Sequence, residues 1–163
     1  MPYCIFIIVV VLFSYSKAFT KQFYLETTAT GAYVTFKSIK MNNGTKIIHY
    51  ENDMAWTDNF GNYGSAFCYG SFISKNDVYT KFDLYCENKN QNGDVLWSFY
   101  TRPNTEYDAG TGEAYYIDGK GDYLNLIGTK CIFSTKYFEK KIFSKTKCKI
   151  TAKQKEFLSK MSK

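Results

Sequence analysis

The chain has a single histidine, His49, so any Ser-His or Cys-His relay would have to pass through it. No G-x-S-x-G elbow accompanies it. It stands in Lys46-Ile47-Ile48-His49-Tyr50, a strand-like stretch where a histidine is a structural side chain before it is a base. Arg102 is the only arginine. A guanidinium pairs bidentately with carboxylates, so Arg102 beside Glu106, Asp108 and Glu113 has two readings. It anchors an anionic ligand at the mouth of the fold, or it forms an ion pair that braces the loop 102–111, the more ordinary outcome. Arg102, Glu106 and His49 are therefore the candidate ligand anchors. Asn88-x-Asn90-x-Asn92-Gly93-Asp94 echoes a calcium loop, but Phe99 stands where the closing glutamate should be. An Asn-Gly hairpin turn is the better reading, and neither a metal nor a cofactor is expected.

The cysteines speak of compartment. Cys4 to Phe13 is an apolar run of ten residues, which as a helix rises only about 15 Å and falls short of a bilayer core. With Ser16-Lys17-Ala18 behind it, the run reads as a signal peptide over 1–18, cleaved near Ala18, and the product as secreted or periplasmic. Four cysteines follow: Cys68, Cys86, Cys131 and Cys148. In an exported chain an even count reads as disulfides, with three connectivities open. Zinc is the rival, disfavoured by the lone histidine and the lack of C-x-x-C.

Tyr, Phe, Ile, Thr and Val dominate, and turn signals recur about every ten residues, the pattern of an antiparallel all-β domain. Strands are expected near 22–29, 32–40, 45–51, 64–73, 78–87, 94–102, 112–117, 129–138 and 141–150. A hairpin centred between Glu139 and Lys140 sets Cys131 opposite Cys148, Phe133 opposite Thr146, Thr135 opposite Ser144 and Tyr137 opposite Ile142. Because strand faces alternate, Lys130, Lys136, Lys145, Lys147 and Lys149 then share the other face. A second hairpin, looping through 75–79, sets Cys68 opposite Cys86, Gly70 opposite Leu84 and Phe72 opposite Phe82. Both registers favour Cys68–Cys86 and Cys131–Cys148. A closed barrel of about eight short strands over 19–150 removes the open edges, and a two-sheet sandwich is the alternative. Thr151-Ala152-Lys153-Gln154 has the form of a capping box, so 152–160 reads as a short helix in a basic tail, 151–163.

Charge is divided unevenly. Residues 136–163 hold ten lysines against Glu139 and Glu156, while 19–135 hold ten basic and thirteen acidic side chains. The lysine face suits an anionic lipid or polysaccharide surface, or serves only to keep a strand edge soluble. Lysines without arginines do not point to specific reading of nucleic acid.

Asp118-Gly119-Lys120-Gly121-Asp122-Tyr123-Leu124-Asn125-Leu126-Ile127-Gly128 resembles the Gly-x-Gly-x-Tyr/Phe-x-x-x-x-Gly segment of the allene oxide cyclase and dirigent barrels. It is similar also to small exported bacterial proteins of unknown role. Cys68-Tyr69-Gly70, Tyr85-Cys86 and Gly93-Asp94 extend the likeness, with Trp56-Thr57-Asp58-Asn59 and Gly61-Asn62-Tyr63-Gly64 as an approach loop before it. The resemblance implies an eight-stranded, lipocalin-like antiparallel barrel with Gly119, Gly121 and Gly128 at a barrel corner. It does not imply cyclase activity, because no pocket side chain of the plant enzymes carries over residue by residue. Three functions follow: non-enzymatic binding of a small apolar ligand or a partner, which we favour; a cyclase- or isomerase-like barrel enzyme; or an envelope-associated protein that meets anionic surfaces through its lysines.

Overall fold

The computed structural model describes residues 21–76, 78–102 and 109–162, together with the backbone of Thr105 and Glu106. The apolar N-terminal run and the cleavage position near Ala18 lie outside the described residues. Nine strands and one α-helix follow in order: β1 Phe23–Lys40, β2 Thr45–Asp58, β3 Tyr63–Lys75, β4 Val78–Asn90, β5 Val95–Thr101, β6 Thr105–Glu106, β7 Ala109–Gly119, β8 Lys130–Phe138, β9 Lys141–Ile150 and α1 Ala152–Met161. All pairings are antiparallel. The eight long strands run β3-β2-β1-β9-β8-β7-β5-β4, and a β3–β4 ladder joins the two ends. The sheet is therefore a closed barrel and not a sandwich, and the two-residue β6 merely covers the start of β4.

Period-two alternation builds the wall. On β2, Ile48, Tyr50, Asn52 and Trp56 are buried while Ile47, Asp53 and Ala55 are exposed. The expected registers are present, with Cys68 opposite Cys86, Phe72 opposite Phe82, Cys131 opposite Cys148 and Tyr137 opposite Ile142. Both disulfides form, with Cα–Cα distances of 4.0 and 4.1 Å, and all four cysteines are buried. Outside, cross-strand neighbours Tyr69, Tyr85, Phe99 and Tyr115 form an aromatic row, with ring centroids 4.9 Å apart for Tyr85–Phe99 and 6.5 Å for Phe99–Tyr115. Such pairs reinforce the ladder beneath them.

Three expectations change. The strands near 22–29 and 32–40 are one continuous strand of eighteen residues. Gly31 does not break it, because β1 passes so close to β2 there that a Cβ would run into the Asp53 carbonyl and Met54 Cα. The wall strands are accordingly long, not short. Second, Trp56 to Asp58 belong to β2 and not to an approach loop. Trp56 is buried and its indole N–H donates to the Ser65 carbonyl at 3.1 Å. Third, the glycine-rich segment between β7 and β8 is a 3₁₀ helix, Gly121–Leu126, which buries Tyr123 and Leu126.

One end of the barrel is plugged by this 3₁₀ helix and by α1. The Thr151 hydroxyl accepts from the Gln154 backbone N–H while the Gln154 side chain accepts from the Thr151 N–H, the expected capping box. Gln154 also donates to the Asn125 carbonyl and to Thr129 Oγ1, tying α1 to the 3₁₀ helix. Leu158 and Met161 are buried, and the α1 carbonyls of Leu158 and Met161 accept from Asn62, Gln91 and Asn92. Replacing Cys131 and Cys148 together by alanine should remove about 3 kcal/mol of stability, since the bond closes a loop of 17 residues. A differential scan should show a fall in Tm of roughly 6–12 °C for a domain of this size. Peptide mapping under non-reducing conditions should link Cys68 to Cys86 alone.

Candidate functional site

The barrel encloses a cavity of about 80 Å³. Its floor is Leu126 and Leu158, its waist Cys68, Cys86, Leu84 and Met54, and its upper wall Tyr50, Phe82, Phe133, Tyr137 and Ile142. A cavity of roughly 150 Å³ by the same measure accommodates benzene, so the resting lumen admits a group of a few heavy atoms. Polar side chains reach into this apolar wall at intervals. Thr27, Asn52, Asn88, Thr135, Ser144 and Thr146 line the cavity as well. Asn88 is satisfied by the Leu96 carbonyl and Ser98 Oγ. Asn52 is buried, and the Tyr50 hydroxyl interacts with it and with Tyr137.

Arg102 lies at the end of the barrel opposite α1. Leu96, Ser98 and Tyr100 of β5 point inward, and Arg102 continues the alternation one step past the strand. It is only 2% exposed. Its guanidinium carbon sits 4.6 Å from the ring centre of Tyr79 and 4.8 Å from that of Phe82. None of Nε, Nη1 and Nη2 has a hydrogen-bond partner. The space for it comes from Gly112 on β7, where a Cβ would fall 2.6 Å from Arg102 Cβ and 2.7 Å from the Phe133 ring. Phe82 is shared, since it lines the cavity and also lies against the guanidinium. Around it Phe72 stacks on Phe82 at 4.3 Å, Tyr50 meets Phe72 at 5.0 Å, and Ser74, opposite Tyr79, buries a hydroxyl that lacks a partner.

The other sequence-derived candidates fall elsewhere. Glu113 does not brace Arg102, because it faces out and binds Lys130 at 2.6 Å. Asp108 and the side chain of Glu106 lie outside the described residues. His49 is not a lumen anchor. It alternates with inward Ile48 and Tyr50, so it faces out, 3.1 Å from Glu51 and edge-on to Tyr69. The five lysines of the β8–β9 face are all exposed. Two are already matched, Lys130 by Glu113 and Lys147 by Glu26 at 2.7 Å. That pairing dilutes the positive field the face would offer an anionic surface. Lys130 and Tyr115 both hydrogen-bond Glu113, holding its carboxyl below the usual range. Gly119, Gly121 and Gly128 bracket the 3₁₀ helix at the plugged end, Gly121 and Gly128 with φ of +63° and +81°. The Asn90 side chain accepts from the N–H groups of Asn92 and Asp94, so the calcium-like segment is a hairpin turn.

Tyr50, Asn52, Ser74, Phe82 and Tyr137 were not singled out from sequence, although their place on the inward register was available. No family model matches this chain, and neither a curated protein nor a solved structure matches it.

Burial raises the phenols of Tyr50, Tyr100, Tyr116, Tyr123 and Tyr137 above the ordinary tyrosine range. For Tyr137 the Arg102 charge works in the opposite sense. The folded state holds these protons when the unfolded chain, above about pH 10, releases them. Unfolding then releases protons, so stability is intact below about pH 10 and falls as pH rises beyond it, by about 1.4 kcal/mol per pH unit per tyrosine. Absorbance at 295 nm should show these five phenols ionising in one cooperative step, coincident with loss of the far-ultraviolet β signal.

Proposed function

We propose that this is an exported, non-enzymatic binding module that holds the apolar part of a small molecule in its barrel lumen. One observation carries the reading: a cavity along the barrel axis, apolar at its waist and floor, closed below by α1 and the 3₁₀ helix. The two disulfides are consistent with an oxidising compartment, and the N-terminal apolar run followed by Ser16-Lys17-Ala18 supports removal of a signal peptide on the way there. The resemblance of residues 118–128 to allene oxide cyclase and dirigent barrels supports a pocket protein as well.

Binding is favoured over catalysis by the chemistry of the lining. Its titratable groups are tyrosines whose phenols burial keeps neutral at physiological pH, poorly matched to general acid or base work. Asp58, which also lines the cavity, is held by the N–H groups of Phe60 and Asn62 and by the Asn62 amide. Such a carboxylate is engaged in a turn and not free to move a proton.

Dichloromethane and dimethyl sulfide, probes of three heavy atoms that suit a cavity of about 80 Å³, should each raise the Tm of the mature domain saturably, by linkage to the folded state. Ala66→Leu, which places a larger side chain into the lining, should abolish that response while leaving the β fold intact. If no probe shifts the Tm and Ala66→Leu lowers stability as an overpacked core would, the lumen is only a core and the reading fails.

A further inference from the structure

We infer that the buried Arg102 guanidinium is an anion site, and that the molecule bound by this barrel is a small organic acid whose carboxylate sits on it. This rests on the reading of the lumen as a ligand site and names the ligand's charged end. A guanidinium that is 2% exposed and has three unpartnered nitrogens is an expensive feature. Burial strips its hydration, and the rings of Tyr79 and Phe82 restore only a part of it. A fold selected for stability alone would place methionine or leucine there.

The site also suits a carboxylate. Its one charge matches one carboxylate, and the planar fork suits bidentate pairing. The walls are aromatic: Tyr79, Phe82 and, through Phe82, Phe72. One further hydroxyl in the same cluster, Ser74, is buried without a partner and is able to donate. The apolar body of the acid then has one direction to go. Phe82 lies between the guanidinium and the cavity, so the body packs on Phe82 and extends toward Tyr50, Tyr137 and Phe133. The volume of about 80 Å³ keeps that body to a short chain of a few carbons.

Because Arg102 is the only arginine, its Nε–Hε group gives a single nitrogen resonance in the mature chain. Titration with sodium propionate should move that resonance saturably and raise the Tm, whereas isosteric propionamide should do so at least tenfold more weakly. Arg102→Met should melt higher than wild type without ligand and bind propionate at least tenfold more weakly, a loss of about 1.4 kcal/mol, while keeping its response to dichloromethane. Equal binding of propionate and propionamide, or an unmoved Arg102 resonance at saturating propionate, would overturn the anion site while leaving the lumen reading intact. Absence of the dichloromethane response in wild type would instead remove the lumen reading itself. Should Arg102→Met fail to fold, Arg102→Lys provides the second arm: it keeps the charge but not the fork, and undiminished propionate binding by it would overturn the bidentate pairing.

Discussion

Backbone hydrogen bonds between β3 and β4 connect the first and last members of an eight-strand sheet, and this ladder turns a curved wall into a tube. Once the tube is closed, every residue of a wall strand faces either the lumen or solvent, with no third choice. The Cys68–Cys86 bond sits within that closing ladder, where opposed cysteines need no backbone movement to join. Cys131–Cys148 fastens the β8–β9 hairpin on another part of the wall. The two bonds pin register at positions where a slip of one residue would turn the lumen face outward.

The two ends of the tube are finished by different chemistry. At one end, α1 and the 3₁₀ helix bring leucine, methionine and tyrosine to the opening, and side-chain amides of Asn62, Gln91 and Asn92 satisfy carbonyls of the helix. Of the polar side chains there, only Asn90 keeps an unpartnered nitrogen, Nδ2, among the described residues. At the other end the whole Arg102 guanidinium and the Ser74 hydroxyl are buried and unmatched. Protein interiors rarely leave such groups without partners, and here they gather in one aromatic cluster beside the cavity. The unmatched charge lies at one end alone, and that gives the barrel a direction, with its cation at the end away from the helix.

The outer surface pairs part of its charge across strands. Lysines segregate to one face of β8 and β9, yet neighbouring strands supply Glu113 and Glu26 to two of them. His49 and Glu51 form a similar local pair on β2. These contacts are solvent-exposed and each is worth little to stability. They do show that composition alone overstates the basic character of this face, because cross-strand partners come from parts of the chain far away in sequence.

The sequence by itself determined the hairpin registers, both disulfides, the outward set of lysines and the capped C-terminal helix. Each depends on residues within about twenty positions of one another, where period two and turn chemistry decide the pairing. In the structure the same alternation, extended along β2 and β5, sends His49 outward and Arg102 inward. What the sequence could not show was the environment waiting for Arg102. Tyr79 and Phe82 come from β4 and the accommodating Gly112 from β7, and these meet only because the barrel closes. The continuity of β1 through Gly31, the 3₁₀ turn at 121–126 and the size of the lumen were likewise settled by packing between distant segments. Arg102 looked like a loop residue in want of a carboxylate. The tertiary structure makes it a buried cation among aromatic rings, because non-local contacts, not local spacing, decide what a side chain meets.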